Sequence, residues 1–437
     1  MTGPAAVLSL AALAIALALQ ISSGLYDERA LALVTLATIA AVIAAVWRKR
    51  GAPPENPVAA QAVLGAGSAV GLACHLFTNP AFYADPRAFQ GGFRWFALVA
   101  LVVLSAYLCI HLRASLIRAR FLLLLACFAL MGIVLIRASP RPFIDVWYFQ
   151  QGAADALLHG VSPYTVTYPD IYGPRAFAPY APELLQGGRV AAFPYPPLTF
   201  LAGAPAFAAL GDVRYAMLAL LIGAAWLIAR AAPGNTGELA AAFVLFQPRT
   251  LFVLEQSWSE PLVLFCFALC LYALARKAHW ALAGAALGLL AGSKQFSPFL
   301  VVPAALLLPR RGLWLAAAVL CAVLVPFALP DPAAFWRGLV RFHFLQGFRS
   351  DSLSLTALAG RLMGPAVQWV SLAGVAFGAL VIAFCARRGV DLPLACTAAA
   401  VAWTAVLIWN KQSFCNYWWL ASGLLGAAAA APARERE

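Results

Sequence analysis

The sequence predicts an all-α protein that crosses a membrane with about 13–15 helices. The first observation behind this prediction is composition: 63% of the 437 residues are hydrophobic and only 11% are charged. A soluble domain has roughly 45–50% apolar and about 25% charged residues. The second observation is that the apolar residues form long runs, and a run of about 20 such residues can cross a bilayer as a helix.

The third observation is the placement of the positive charge. The net charge of +13 comes largely from short basic clusters between the apolar runs, and such clusters mark the cytoplasmic side of a membrane protein. The clusters are Arg48–Arg50, Arg113–Arg120, Arg276–Lys277, Arg310–Arg311, Arg387–Arg388 and Arg434–Arg436. We therefore interpret the charge as a topology signal, and no nucleic-acid partner is expected.

Residues 1–137 are predicted to form N-terminal transmembrane helices. Their apolar runs cover 5–22, 30–47, 58–77, 93–111 and 119–137. The first run lacks basic residues in front of it, which favours a membrane helix over a cleaved signal peptide. With the N-terminus inside, the next segment, residues 138–196, lies outside. It is the longest stretch of the chain without an apolar run, and we expect it to form an outer loop.

Residues 197–437 are predicted to form the larger part of the membrane domain. Their apolar runs cover 197–211, 214–230, 238–253, 261–276, 280–293, 297–309, 312–329, 365–386, 392–409 and 415–431. If every run crossed, three basic clusters would lie outside. We expect instead that the short run 214–230, basic at both ends, dips into the membrane from the cytoplasmic side and returns. About 14 spans then remain, with both termini inside.

Four polar segments share the outer side in this arrangement: 138–196, 255–261, 330–360 and 409–419. In the first of them, Asp145 follows a span directly and begins a predicted amphipathic helix that Gly160 ends. Its apolar stripe consists of Ile144, Trp147, Tyr148, Ala154 and Leu158. Such a helix is suited to lie at the membrane surface, next to a lipid substrate. The alternative interpretation is that Asp145 only caps the helix.

Ionisable residues at the outer ends of the helices are further candidates for a site. Glu255 and Glu260 lie in a turn near membrane depth, where a charge is costly and usually marks a pathway or a site; the alternative is a turn in water. Lys294 either neutralises a substrate phosphate or extends to lipid headgroups, and Lys411 and Arg349 offer the same choice. Tyrosines of the outer loop fit a sugar or a headgroup: Tyr168, Tyr172, Tyr180 and Tyr195.

Several chemistries have no motif in the sequence. There is no Walker A loop, no dinucleotide-binding GxGxxG, no HExxH and no GxSxG. The nine cysteines lie mostly in apolar runs without metal-ligand spacing, and we interpret them as core residues. His343 is interpreted as structural. We therefore expect no cofactor, no metal site and no use of ATP or redox energy.

The motifs of residues 138–430 resemble those of a known family. Asp145 is followed by HGVSPY (159–164), YPDIYG (168–173) and FPYPPLTF (193–200), and later by AGAALGLLAGSKQFSPFLVVP (283–303) and NKQSFCNYWWL (410–420). Their order and spacing resemble the GT-C glycosyltransferases, in particular the polyprenol-phosphate-mannose-dependent mannosyltransferases of bacteria and the first GPI mannosyltransferase of eukaryotes. Two elements, EQSWSE (255–260) and FCNY (414–417), differ from the family pattern.

The resemblance implies a GT-C-like core and a glycosyltransferase of the bacterial plasma membrane, with its site on the extracytoplasmic side in the cell envelope. Such enzymes transfer a hexose such as mannose from a polyprenyl-phosphate donor to a lipid or glycan acceptor, with inversion. Asp145 would be the general base in a catalytic outer loop, and basic residues would stabilise the departing phosphate. The residues expected to bind substrate are Tyr148, Tyr164, Tyr195, Glu255, Gln256, Glu260, Lys294, Gln295, Arg349, Lys411 and Tyr417.

Other classes of protein share some of these features. A transporter or lipid flippase also has many helices and membrane-embedded charges, but it is expected to show repeats in two halves, and no such symmetry is visible. A polymerase or ligase of cell-surface glycans uses similar lipid carriers without an Asp-led first loop. A purely structural membrane protein would not need polar and aromatic residues that converge on one side.

Overall fold

A computed structural model describes residues 3–51, 55–108, 114–174, 176, 180–232 and 234–433. The structure is 73% helical, which confirms the predicted all-α class. Within the described ranges, nine helical segments are long and apolar enough to span a membrane. The protein is therefore a multi-pass membrane protein. Three of the predicted cytoplasmic cations, Arg113, Arg434 and Arg436, lie outside the described residues.

The helices follow one another closely along the chain. The helices that begin before residue 240 are α1 (Pro4–Ser22), α2 (Glu28–Trp47), α3 (Val58–Phe77), α4 (Gly92–Ser105), α5 (Ala114–Ala138), α6 (Asp145–Leu158), α7 (Pro197–Leu210), α8 (Arg214–Ala231) and α9 (Gly234–Phe246). They continue with α10 (Thr250–Glu255), α11 (Glu260–Ala275), α12 (Trp280–Ala291), α13 (Pro298–Ala305), α14 (Arg310–Ala328) and α15 (Pro332–Trp336). The last are α16 (Phe342–Leu345), α17 (Leu355–Met363), α18 (Ser371–Arg387), α19 (Leu392–Trp409) and α20 (Cys415–Ala430).

Shorter elements complete the described part of the chain. The 3₁₀-helices are Pro86–Phe89, Ala106–Leu108, Pro182–Leu184 and Pro365–Val370, and Arg337–Arg341 forms a π-helix. Three two-residue strands are β1 (Tyr168–Pro169), β2 (Leu185–Gln186) and β3 (Arg189–Val190). They form a small antiparallel sheet in the order β1-β3-β2.

The described residues form more helices than expected, because some spans are broken and the loops add short helices. The predicted span 238–253 is divided into α9 and α10. Pro248 has no N–H to continue α9, and Arg249 after it adopts a left-handed φ of 73°. The loops add α15, α16 and α17 between α14 and α18.

One apolar core runs through the bundle, from Ala5 in α1 to Ala431 after α20. α1 packs against α2 and α20, and α3 packs against α9. The N-terminal helices therefore belong to the same packed bundle as residues 197–437. A second apolar cluster fills the 138–196 loop and joins Phe149, Tyr164, Phe193, Phe200 and Phe342.

The bundle has two ends, which we name the Arg48 end and the Asp145 end. At the Arg48 end, the guanidinium of Arg48 donates hydrogen bonds to Thr397 Oγ1 (2.8 Å) in α19 and to the Ala428 carbonyl (2.9 Å) in α20. Arg388, just after α18, donates to the Val46 carbonyl (2.8 Å) in α2. Two of the predicted cytoplasmic clusters thus lie together, as the charge pattern requires. The Asp145 end carries the 138–196 loop.

The expected dip of residues 214–230 into the membrane is wrong. Arg214, at the start of α8, donates a hydrogen bond to the Ser139 carbonyl (2.7 Å), just beyond α5. Trp226, near the end of α8, stacks on Phe121, near the start of α5, with 6.3 Å between ring centroids. α8 therefore runs along the length of α5 and crosses the bundle.

The segment that does not cross is α7. It follows the turn around Tyr195, and the Gly211 carbonyl just after it accepts a hydrogen bond from Gln151 (3.1 Å) in α6. Both ends of α7 thus lie at the Asp145 end. The basic start of α8 was misleading because Arg214 is paired with Asp212 (2.6 Å), so its charge is neutralised locally and does not report the side of the membrane.

Topology reporters distinguish the two arrangements. We expect reporters fused after Lys277 and after Arg311 to report cytoplasm, and one near Gly173 to report the outside, because basic clusters set the orientation. A reporter inserted at Gly211 is decisive for α7: the observed arrangement puts it on the same side as Gly173, whereas a crossing by residues 197–211 puts it on the opposite side. A cytoplasmic signal at Gly173 would overturn the predicted orientation of the Asp145 end.

Candidate functional site

Asp145 is the first residue of α6 and is not its cap. The N-cap position belongs to Ile144, which has extended backbone angles. A capping side chain accepts a hydrogen bond from the N–H two or three residues on, but Asp145 Oδ1 accepts from Val146 N (2.8 Å), its immediate neighbour. The capping interpretation is therefore wrong. The other oxygen, Oδ2, accepts from the Tyr180 hydroxyl (2.5 Å).

The environment of Asp145 favours a basic carboxylate. Burial raises the pKa of Asp145, and this effect exceeds the opposing hydrogen bonds from Tyr180 and Val146 and the positive charge of Arg349. Part of the surface of Asp145 nevertheless remains accessible to solvent. An acid that is costly to ionise, yet still reachable, is typical of sites that transfer protons.

The buried face of α6 differs from the predicted stripe. Trp147 and Ala154 are buried as expected, but Leu158 is 51% exposed. The face that packs into the structure instead includes Val146, Phe149, Gln150, Ala153 and Ala156. α6 rests on α7 and on the folded loop. The predicted end is confirmed, since Gly160 adopts a φ of 73° directly after the helix.

Two buried tyrosines shape the 138–196 loop. The Tyr164 hydroxyl donates to the carbonyl of Tyr195 (2.6 Å), and the Tyr168 hydroxyl donates to the carbonyl of Pro163 (2.6 Å). Tyr164 was predicted to bind substrate, but it is only 1% exposed. In this structure it fixes the backbone of Tyr195. Asp170 likewise fixes a turn by accepting from Gly173 N (2.9 Å).

A buried ion pair lies next to this loop. Lys294 Nζ is 3.0 Å from Glu260 Oε1, and the two side chains are 5% and 0% exposed. Lys294 Nζ also donates to Ser259 Oγ (2.6 Å) and lies 4.9 Å from the ring centre of Tyr195. Lys294 is therefore not extended toward lipid headgroups. Lys294 and Glu260, which were both predicted to bind substrate, thus form one buried ion pair.

Tyr195 is subject to the charges of both Glu260 in this ion pair and Asp145. Burial raises the pKa of the Tyr195 hydroxyl, and the negative charges of Asp145 and Glu260 raise it further. Both carboxylates are thus close enough to act on the same phenol. The predicted base and the predicted phosphate-binding lysine therefore belong to one cluster.

Gln295 and His343 hold the turn that carries Tyr195. Gln295 Nε2 donates to the carbonyls of Pro194 (2.8 Å) and Leu339 (3.2 Å), and His343 Nε2 lies 3.0 Å from the Pro194 carbonyl. Burial lowers the pKa of His343 to about 4, so this histidine is neutral near pH 7. The prediction of a structural His343 fits these contacts, and the amide of Gln295 is engaged by backbone.

Two further cations lie at the same end. Arg349 forms a bidentate pair with Asp351 (Nε to Oδ1 2.8 Å, Nη2 to Oδ2 2.7 Å) and lies 4.8 Å from the ring centre of Phe414. Lys411 Nζ donates to the carbonyl of Gln346 (2.7 Å), and burial lowers the pKa of Lys411. Arg349 also acts electrostatically on Asp145. Three of the predicted cations, Lys294, Arg349 and Lys411, thus lie at the Asp145 end.

Tyr148 and Tyr417, which were also predicted to bind substrate, have different surroundings. Tyr148 is partly exposed and meets the ring of Trp147 edge to face, with 5.0 Å between centroids. Tyr417 packs against Phe296 (5.8 Å between centroids) and lies 5.9 Å from Lys294 Nζ. Tyr417 therefore borders the Lys294–Glu260 pair, whereas the contact of Tyr148 is within α6.

Glu255 and Gln256 are buried under a loop that sequence reasoning missed. The Glu255 carboxylate accepts from the backbone N–H groups of Phe82 (2.7 Å), Tyr83 (2.9 Å) and Ala84 (2.9 Å). Gln256 Nε2 donates to Glu255 Oε2 (3.2 Å). These two side chains are thus engaged by the protein itself. The only sequence signal for this loop was the polar break between the runs 58–77 and 93–111.

A second N-terminal loop also reaches the Asp145 end. Tyr26 N donates to the carbonyl of Asp351 (2.8 Å), and Leu25 pairs with Ser352 in an isolated bridge. Gly24 adopts a φ of 80°, and a side chain there would collide with the backbone of Cys415. The α1–α2 connection therefore packs on the segment that carries Arg349.

Comparisons with known proteins add no relative: no family model matches the chain, no curated protein matches it, and no solved structure matches it.

Proposed function

We propose that the protein is a membrane glycosyltransferase similar to the GT-C enzymes. It transfers a sugar from a polyprenyl-phosphate donor to a lipid or glycan acceptor on the outer face of the bacterial plasma membrane. One observation carries the proposal: Asp145, a reachable carboxylate whose pKa is raised by burial and lowered by the charge of Arg349, lies at the same end of the bundle as Lys294 and Lys411. A base beside several cations fits the removal of a proton from an acceptor and the release of a phosphate.

In the proposed reaction, the acceptor hydroxyl lies between Asp145 and the sugar carbon that carries the phosphate. Asp145 takes the hydroxyl proton while the oxygen attacks this carbon from the side opposite the phosphate. The bond between the carbon and the phosphate oxygen breaks, and the phosphate leaves with the bonding electron pair. The configuration at the sugar carbon inverts. The raised pKa of Asp145 supports this role, because a base works best with a pKa near the working pH.

The three cations are not equivalent as partners for the departing phosphate. Lys294 is already paired with Glu260 and Arg349 with Asp351. The partner of Lys411 Nζ in the described residues is a neutral carbonyl, that of Gln346. Lys411 therefore has the most positive charge left to offer a phosphate. Lys294, whose Nζ lies 4.9 Å from the ring centre of Tyr195, is assigned to the same phosphate.

The proposal is tested by turnover of the purified protein in detergent. It is incubated with several radiolabelled polyprenyl-phosphate sugars and with candidate lipid and glycan acceptors, and the products are separated by chromatography. We expect a labelled acceptor together with an equal amount of free polyprenyl phosphate. In liposomes, movement of an intact labelled donor across the bilayer without any glycosylated product would contradict the proposal and favour a flippase.

The hydrogen bond from Tyr180 predicts a pH effect. It stabilises the charged form of Asp145 and so lowers the pKa of Asp145 against the larger effect of burial. Tyr180→Phe removes this hydrogen bond, so the pKa of Asp145 rises further. Because the reaction needs the deprotonated form, activity is lost as the pH falls through this pKa. We expect the acid limb of the pH–activity profile to move to higher pH in Tyr180→Phe.

Tyr148→Phe is the matched control for this profile, because Tyr148 lies in the same helix as Asp145 and its ring contacts Trp147, whereas the hydroxyl that donates to Asp145 is that of Tyr180. Its acid limb should stay at the wild-type position. If the acid limb of the pH–activity profile lies at the same pH in Tyr180→Phe and in the wild type, Asp145 is not the group that titrates.

A further inference from the structure

A cavity of about 410 Å³ lies where the ends of α5, α8, α9 and α11 meet, and we name it the Arg230 cavity. Gln61 Nε2, near the start of α3, donates to Thr236 Oγ1 (2.8 Å) in α9, and Glu55, just before α3, pairs with Arg48 (3.7 Å). The cavity therefore belongs to the Arg48 end of the bundle, opposite the proposed catalytic site. Its lining includes Phe121, Leu122, Trp226, Arg230, Glu238 and Arg276.

The carboxylate in this lining, that of Glu238, is already neutralised. Arg120 Nη2 lies 3.2 Å from Glu238 Oε2, and the side chain of Arg120 is only 9% exposed. The Tyr107 hydroxyl donates to the same oxygen (2.6 Å), and the Arg120 guanidinium lies 3.7 Å from the centre of the Tyr107 ring. Glu238 therefore has little negative charge left to offer another cation.

Two further guanidinium groups line the cavity, those of Arg230 and Arg276. Both residues are exposed, and neither forms an ion pair with any residue that the structure describes. The Arg230 guanidinium lies 4.9 Å from the ring centre of Trp226. The cavity thus combines two uncompensated positive charges with a carboxylate that is already paired.

One rim of the cavity is apolar. Phe121 in α5 stacks on Trp226 in α8, and Leu122 and Trp226 remain 53% and 38% exposed. Both helices are long and apolar enough to span the membrane, so the exposed apolar side chains on them contact lipid. Tryptophan is also enriched at the level of the lipid headgroups. A headgroup can therefore enter the cavity while its acyl chains stay in the bilayer.

We propose that the Arg230 cavity binds the phosphate of an anionic membrane phospholipid, with Arg230 and Arg276 as its ligands. A guanidinium presents a planar fork of N–H donors that matches two oxygens of a phosphate. Basic pockets between membrane helices on the cytoplasmic side bind headgroups of this kind. A soluble phosphate ester offers the same oxygens, but only a lipid also covers the exposed rim of Leu122 and Trp226.

The charges of the cavity define which lipids it selects. The phosphodiester of phosphatidylglycerol brings a negative charge that offsets the repulsion between Arg230 and Arg276. Phosphatidylcholine brings an ammonium as well, which these two cations repel. Since α8 packs against α11, a bound phosphate also connects the end of α8 with the residue that follows α11. A ligand that binds the folded state stabilises it, so phosphatidylglycerol should raise the thermal midpoint of unfolding.

Lipid titration of the purified protein in a neutral detergent tests this site. Binding of phosphatidylglycerol and of phosphatidylcholine is measured by native mass spectrometry, and we expect phosphatidylglycerol to bind at least about tenfold more tightly. Arg230→Gln and Arg276→Gln should each weaken the binding of phosphatidylglycerol by about tenfold, the scale of one hydrogen bond to a charged group. Both side chains are exposed, so the variants should fold as the wild type does.

The matched control removes two charges elsewhere on the predicted cytoplasmic side. Arg310, at the start of α14, and Arg387, at the end of α18, are also exposed and lie outside the lining of the Arg230 cavity. The double variant Arg310→Gln with Arg387→Gln should keep the wild-type affinity for phosphatidylglycerol. Glycerol phosphate, the soluble probe, should displace the lipid only at much higher concentration, because it leaves the apolar rim uncovered.

Three results would overturn the proposal. Equal affinity of the wild type for phosphatidylglycerol and phosphatidylcholine would exclude selection by charge, whatever the variants do. An equal loss of affinity in the Arg310→Gln, Arg387→Gln control would assign binding to the general surface charge. Displacement by glycerol phosphate at lipid concentrations would assign the cavity to a soluble phosphate. None of these measurements needs sugar transfer, so they decide the lipid site independently of the proposed function.

Discussion

Asp145→Asn is expected to lower turnover by about 10²–10⁴-fold, the usual contribution of a general base. Asn has nearly the size of Asp, so the fold and the binding of the donor should survive. Its side-chain oxygen can still accept from Val146 N, as Asp145 Oδ1 does (2.8 Å). It cannot take a proton from the acceptor. Turnover, the KM of the donor and the thermal midpoint of unfolding are measured on the same preparation.

Two other acids of the loop serve as controls. Asp155 is exposed and lies near His159, and Asp170 accepts from backbone N–H groups of its own turn. Asp155→Asn and Asp170→Asn should therefore keep most of the activity. A fully active Asp145→Asn protein would disprove the mechanism, and a large loss at Asp155 or Asp170 would assign the base to that residue instead.

Lys294→Met is expected to lower both stability and donor use. Glu260 is fully buried and is paired with Lys294, so the substitution leaves a buried charge without its partner. Breaking a buried ion pair in this way costs about 3–5 kcal/mol, and we expect a clearly lower thermal midpoint in detergent. The KM for the polyprenyl-phosphate sugar should rise as well, because a cation near the departing phosphate is lost.

A double variant separates these two effects. Lys294→Met with Glu260→Gln removes both charges, so most of the lost stability should return. Donor use should not return if Lys294 contacts the phosphate. Lys277→Met, which removes a lysine beyond α11 at the other end of the bundle, is the matched control and should leave donor use unchanged. A double variant with normal donor kinetics would show that the pair is only structural.

The class of fold was readable from the sequence because membrane helices are defined by local properties. Apolar runs and the clusters around Arg48 and Arg388 are features of short segments, and the structure brings these two clusters to one end. The non-crossing segment was assigned wrongly because Asp212 neutralises the charge of Arg214, whose guanidinium also donates to the Ser139 carbonyl. Pairing of this kind depends on tertiary structure, which the charge pattern does not contain.

Part of the candidate site could also be predicted from local properties of the sequence. Asp145 was found because an acid directly after a span is unusual, and Lys294 and Glu260 because charges at membrane depth are costly. Sequence reasoning assigned Tyr164 and Glu255 to the substrate, whereas in the structure they hold backbone. The Glu255 carboxylate accepts hydrogen bonds from residues 82–84, which lie 171–173 positions away in the chain. No local sequence pattern predicts such a contact.

The contacts of Arg48 have a consequence for the order in which the protein is assembled. Its guanidinium is buried, and its hydrogen bonds go to residues 345, 349 and 380 positions later in the chain. During synthesis, α2 enters the membrane with Glu55 as a nearby acidic partner for Arg48 (3.7 Å), long before the hydrogen-bond acceptors in α19 and α20 exist. Until α19 and α20 have been inserted, this arginine has to remain in water or headgroups at the membrane surface. The final packing of α2 is thus a late event of biogenesis, because the hydrogen bonds of Arg48 form only after α19 and α20 are in place.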